Sequence, residues 1–147
     1  MVDVMSVELN HTIVSATDPE ASARFASEVL GLPQPTRFGP FVVVATANDV
    51  SLDYMDADGE ITPQHYAFLV SEPEFDKIFD RIQGRGLEFW ADPGRRRSGE
   101  INRRDDGRGL YFEDPDGNGL EVYLDTRAER DVDHWDGKNE RFDPTVL

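Results

Sequence analysis

The chain has no cysteine, and its 147 residues include only three histidines and two tryptophans. The missing thiols exclude disulfides, thiolate metal sites and cysteine nucleophiles together. Basic residues are also scarce: fifteen Lys and Arg stand against thirty Asp and Glu, a formal charge of −15. So acidic a balance argues against nucleic-acid partners and against docking on anionic membranes, since both are polyanions. No apolar run approaches the roughly 18 residues needed to span a bilayer. Met1–Asn10 holds two acids and no basic residue, which predicts no signal peptide and a cytoplasmic protein. With 38% apolar residues, the sequence suits one soluble domain over 1–147.

What the chain does have is self-similarity. Leu9-Asn10-His11-Thr12-Ile13-Val14 finds a counterpart fifty-four residues later in the run His65-Tyr66-Ala67-Phe68-Leu69-Val70, with His11 on His65. The same offset pairs Pro19 with Pro73 and Phe25 with Phe79, and an offset of fifty-five pairs Gly31-Leu32 with Gly86-Leu87. Leu52-Asp53 matches Leu120-Glu121 at sixty-eight, the extra residues fitting an insertion around Ala91–Gly109. Matches in one chain order predict a duplicated module: module one about 6–58, module two about 62–126, then a charged tail over 127–147.

Each module reads strand, helix, then strands. Asp18 is a natural N-cap, Pro19 suits the first helical turn, and Ala21, Phe25, Val29 and Leu30 form an apolar stripe stopped by Gly31. Ser71-Glu72-Pro73-Glu74 is a capping box for a second helix with Phe75, Ile78, Phe79 and Ile82 as its stripe, ended by Gly84 and Gly86. β-rich runs follow at Phe41–Thr46, Val50–Met55, Gly109–Glu113 and Gly119–Leu124, the last two joined by the turn-forming Asp114–Asn118. The predicted class is α+β: two βαβββ modules forming a curved mixed sheet around a central metal or ligand site, helices on the outer face.

Strand alternation points Leu9, His11, Ile13 and Ser15 one way on the first strand, as it does His65, Ala67 and Leu69 on the fifth and Glu121 and Tyr123 on the last. The duplication relates His11 to His65, and Asp53 to Glu121. Two imidazoles with one or two carboxylates make a site for a divalent ion such as Fe, Zn, Mn or Ni. A lone strand histidine is usually a packed or surface residue; two at duplicated positions with a carboxylate read as ligands. His134, in the polar tail, has no such support.

Leu9-Asn10-His11, the His65–Phe68 strand and the run Gly109-Leu110-Tyr111-Phe112-Glu113-Asp114-Pro115-Asp116-Gly117-Asn118-Gly119-Leu120-Glu121 resemble the vicinal oxygen chelate superfamily over about residues 6–126. That superfamily includes glyoxalase I, extradiol dioxygenases, fosfomycin thiol transferases and bleomycin-resistance proteins. The resemblance implies metal ligands His11, His65 and Glu121, and a small oxygen-rich substrate that chelates the metal. Tyr111 matches a substrate-contacting tyrosine, and Tyr123 is a second hydrogen-bond donor; both are candidate catalytic residues. Related two-module proteins commonly dimerise by pairing modules between chains, which implies a homodimer.

Departures bear on the subfamily. Where the dioxygenase signature places a histidine, this chain has Asn102, Arg103 and Arg104. The threonine that fosfomycin enzymes carry two residues after the first ligand is Ile13, and their potassium-associated serine loop is replaced by arginines. Asp53 stands where glyoxalase I has a fourth, glutamate ligand, one methylene short. The expected function is a dioxygenase-like metalloenzyme. The alternatives are a Lewis-acid lyase or thiol transferase, and a non-catalytic ligand-sequestering protein of the bleomycin-resistance type. Six of thirteen arginines fall between Arg95 and Arg108, either as a solvated loop paired with acids or as a lid attracting an anionic substrate.

Overall fold

The computed structural model describes residues 6–104 and 107–124. The chain divides into two compact units, Met1–Ile61 and Thr62–Leu147. The tail with His134 lies outside the described residues.

The first unit runs β1 (His11–Ala16), α1 (Pro19–Leu30), β2 (Thr36–Phe38), β3 (Phe41–Ala45) and β4 (Ser51–Asp56). Its sheet has the order β1-β4-β3-β2, with β1 parallel to β4 and the other pairs antiparallel. Asp18 caps α1 by accepting the Ala21 N–H at 3.1 Å, and Gly31 ends it in the left-handed region at φ 71°. Val14, Ala16, Val42, Val44, Leu52 and Tyr54 bury one sheet face, and α1 packs on β3 and β4.

The buried face of α1 differs from the expected stripe. Ala23, Ala26, Val29 and Leu30 are buried together with Ser22 and Ser27, whereas Ala21 and Phe25 lie at its margin. Small side chains let the helix approach the sheet closely. Ser27 is tolerated there because its hydroxyl donates to the Leu32 and Pro33 carbonyls at 3.0 and 2.8 Å.

The second unit runs β5 (His65–Leu69), α2 (Glu72–Gly84), β6 (Arg108–Glu113) and β7 (Gly119–Leu124), with the sheet order β5-β7-β6. Phe75, Ile78 and Ile82 of α2 are fully buried, as are Leu110, Phe112 and Val122 of the strands. Among the described residues this unit has one strand fewer after its helix than the first. The place beside β6 is taken by isolated bridges, Trp90 to Tyr111 and Asn102 to Gly109. The cause is local: the Asp92 carboxylate accepts the Arg96 and Arg97 backbone N–H groups, turning the chain just after the Trp90 bridge. Asn102 is buried, its amide donating to the Ala91 carbonyl at 2.8 Å. A side chain at Gly109 would come within 2.9 Å of the Asn102 oxygen.

The connection from β6 to β7 holds more than a turn. Asp114 is buried and accepts the backbone N–H groups of Asp116 and Asn118, both at 2.9 Å, and the Asn118 amide at 2.8 Å. The Asn118 side-chain oxygen then accepts the Gln64 N–H at 2.8 Å, tying the turn to the residue before His65.

Three substitutions test this account by thermal melting and amide exchange. Asp18→Ala should cost about 1 kcal/mol through the lost cap. At Gly107 a methyl group would fall on the Leu124 carbonyl, so Gly107→Ala should cost about 1–3 kcal/mol by overpacking. Asn118→Ala should cost a similar ~1–3 kcal/mol and speed exchange of the Gln64 amide. An unchanged exchange rate at Gln64 would refute the latch.

Candidate functional site

Registers within the two units repeat each other. In the first, His11 pairs with Ser51 and Ile13 with Asp53; in the second, His65 pairs with Gly119 and Ala67 with Glu121. Both histidines open their strands, and each carboxylate stands at the same step of the parallel ladder. The faces carrying them are the ones turned away from the helices: His11, Ile13 and Ser15 are exposed, as are His65, Ala67 and Leu69.

The contents of the two ladders differ. In the second unit, glycine at 119 leaves room for the imidazole of His65: a Cβ there would stand 3.4 Å from His65 Nδ1. His65 Nε2 then lies 3.2 Å from Glu121 Oε1. In the first unit the matching position carries Ser51, whose hydroxyl donates to Asp53 Oδ1 at 2.7 Å. His11 Nδ1 lies 2.8 Å from the Asn10 side-chain oxygen. With that carbonyl accepting, Nδ1 carries the proton and Nε2 keeps its lone pair.

Tyr111 faces Glu121 across the β6–β7 ladder and is 7% exposed. Its ring centroid is 6.0 Å from that of His65. Burial pushes its phenol up to about 12; the Glu121 carboxylate, which accepts its hydrogen bond, pushes the same way, and Arg104 opposes them. At neutral pH Tyr111 is therefore a phenol with a proton to donate. Arg104 Nη1 donates to the Tyr111 hydroxyl oxygen at 3.3 Å. Tyr123 sits two residues beyond Glu121 on the same face, opposite Leu69 and Gly109.

So the second unit gathers His65, Glu121 and Tyr111. His11 and Asp53 belong to the first unit. Among the described residues no group of three or more His, Asp or Glu side chains is gathered to hold a metal. The His65–Glu121 pair nonetheless suits one. Two ligand bonds of about 2.1 Å, spread by roughly 90–109°, leave their donor atoms about 3.0–3.4 Å apart. An imidazole nitrogen and a carboxylate oxygen form a borderline donor set.

Arg104 is a member of this cluster that composition alone hides among its neighbours. Its place follows from the fold: Asn102 bridges Gly109, and Arg104, two residues on, reaches the Tyr111 hydroxyl. The other arginines of the segment are mostly engaged in ion pairs. Arg95 meets Glu113 and stacks over Trp90 at 5.2 Å, Arg97 meets Glu100, and Arg108 meets Glu72 and Asp76. Those three arginines are paired with acids.

Comparison with known proteins agrees with the fold. The family model of the Glyoxalase/Bleomycin resistance protein/Dioxygenase superfamily matches residues 8–122. The chain is similar to the solved Oxidase ChaP-H1, with 62% identity, 81% of this chain and 96% of that one covered, and a TM-score of 0.80. It is 31% identical over 133 residues to the glutathione transferase FosA of Serratia marcescens, covering 86% of each chain. It is also 30% identical over 127 residues to the metallothiol transferase FosB of Lysinibacillus sphaericus, covering 83% of this chain and 85% of that one. With a family match spanning both units and a relative aligned over most of its length, the chain belongs to the Glyoxalase/Bleomycin resistance protein/Dioxygenase superfamily, the vicinal oxygen chelate fold.

Proposed function

We propose that the chain is a metal-dependent oxidative enzyme of the dioxygenase type, acting on a small molecule that presents two neighbouring oxygens. The observation that carries the reading is the 3.2 Å approach of His65 Nε2 to Glu121 Oε1 on an open sheet face. The 62% identity to an oxidase supports it over the transferases at about half that identity. Ile13 and the arginine-rich segment also depart from the fosfomycin-enzyme pattern.

His11, His65 and Glu121 are the proposed ligands, and Fe, Mn, Zn or Ni fit their donor atoms. Such an ion supplies open coordination positions for a chelating substrate and, when redox-active, a path for electrons to dioxygen. This chain's own groups do the rest. Asn10 fixes the His11 tautomer with Nε2 available. Tyr111 holds a donatable proton beside Glu121 and can direct it to a substrate oxygen. Tyr123, farther along β7, offers a second hydroxyl. Asp53, engaged by Ser51, acts outside the direct ligand shell.

Elemental analysis of tag-free protein tests the ligand set. His11→Ala, His65→Ala and Glu121→Ala should each abolish near-stoichiometric metal while keeping the fold, because strand pairing does not depend on the ion. Asp53→Ala should cost no more than about 10–100-fold in metal affinity, the range of an outer partner. Full metal retention in the three ligand variants would exclude the assignment. Equal loss in Asp53→Ala and Glu121→Ala would make Asp53 a fourth ligand.

We also propose a homodimer whose sites draw ligands from both copies. Refolding His11→Ala together with Glu121→Ala should then restore about a quarter of the sites, since half the dimers are mixed and each holds one intact set. Recovery of none, or a monomer by light scattering, would exclude this assembly.

A further inference from the structure

Arg104 differs from the ion-paired Arg95, Arg97 and Arg108 of its segment. Its guanidinium donates through Nη1 to the Tyr111 oxygen at 3.3 Å, and among the described residues it meets no carboxylate. Its backbone is pinned on both sides. The Arg104 N–H donates to the Asn102 side-chain oxygen at 3.4 Å, and the Arg104 carbonyl accepts the Gly107 N–H at 2.8 Å. Asn102 is itself buried and bridged to Gly109 by two backbone bonds of 2.8 and 3.1 Å. The cation is thus held in place at the end of a chain of contacts running Arg104, Tyr111, Glu121, His65.

The chemistry of this placement is specific. A guanidinium stays protonated at every pH an enzyme meets, so it cannot relay protons. It has five N–H donors in a planar fork, and one of them serves Tyr111. The remainder, on an exposed side chain, match an oxyanion. Although the chain carries a formal charge of −15, a guanidinium beside the two paired site residues locally favours a ligand oxygen that bears negative charge over a neutral one.

We propose that Arg104 is a specificity-determining residue that binds an ionised oxygen, a carboxylate or an acidic enol or phenol, adjacent to the oxygens the substrate turns toward Glu121. This rests on the site proposed above and adds the charge class of its substrate: an acidic compound.

The test uses two probes of nearly equal shape and different charge, salicylate and salicylamide, bound to the full-length protein with and without added Zn(II). Binding is read by salicylate fluorescence and by competition in saturation-transfer NMR. Wild type should favour salicylate by about tenfold, the size of one hydrogen bond to a charged group. Arg104→Gln should abolish the preference, and Arg104→Lys should retain part of it, the charge surviving without the fork. Tyr111→Phe keeps the ring and removes the oxygen that fixes the guanidinium, so it should lower the preference by less than Arg104→Gln. Circular dichroism verifies the fold of each variant. No preference in wild type, or an undiminished one in Arg104→Gln, overturns the proposal. An Arg104-dependent preference that is the same with and without Zn(II), in protein that takes up no metal, would uphold Arg104 while refuting the metal site.

Discussion

Pairing the first strand of each unit in parallel with its last strand brings together side chains fifty-six residues apart, His65 and Glu121. The rest of the site depends on the register of that ladder. Side chains alternate between faces, so a slip of one residue would turn Glu121 toward α2 and Leu120 toward the open face. Two features hold the register: hydrophobic burial of Leu120, Val122 and Leu124, and the hydrogen bond from Gln64 to Asn118 just before the strands begin. The packing that stabilises the unit is thus also what aligns its polar groups.

The same ladder occurs twice with different contents. Glycine at 119 and glutamate at 121 allow a carboxylate to reach an imidazole, while serine at 51 and aspartate at 53 form a closed hydrogen bond of their own. At these positions one hydroxymethyl group and one methylene separate the two arrangements. A duplicated scaffold therefore need not carry a duplicated site, and small changes on one face leave the buried face of the module untouched.

Much of this was legible in the residues. The offsets of fifty-four and sixty-eight anticipate the repeated registers because strand positions must match if faces are to match. Both N-caps, at Asp18 and Ser71, were readable because a capping side chain acts on its own first turn. The packing face of α1 was not, since apolar periodicity weights Phe25 while close approach to the sheet favours Ala23 and Ala26. The replacement of a strand by bridges between α2 and β6 was hidden for a similar reason: Asp92 redirects the backbone through bonds that hydrophobic patterning does not register. The contact of Arg104 with Tyr111 follows from the bridge between Asn102 and Gly109, a tertiary pairing that no local spacing announces.

The bridge at Trp90 has a consequence for the edge of the second sheet. An outer strand with free N–H and C=O groups is a template for edge-to-edge addition and aggregation. The Trp90 and Asn102 bridges occupy β6 at Tyr111 and Gly109, and they do so without forming a full strand that would expose a fresh row of its own. Arg95, stacked on the Trp90 ring and paired with Glu113, adds bulk and charge at the same border. In the first unit the outer strand β2 is only three residues long and carries Arg37. The β2 and β6 borders are thus too short or too occupied to recruit another strand, which leaves β1 and β5, among the described residues, as the edges with free pairing groups.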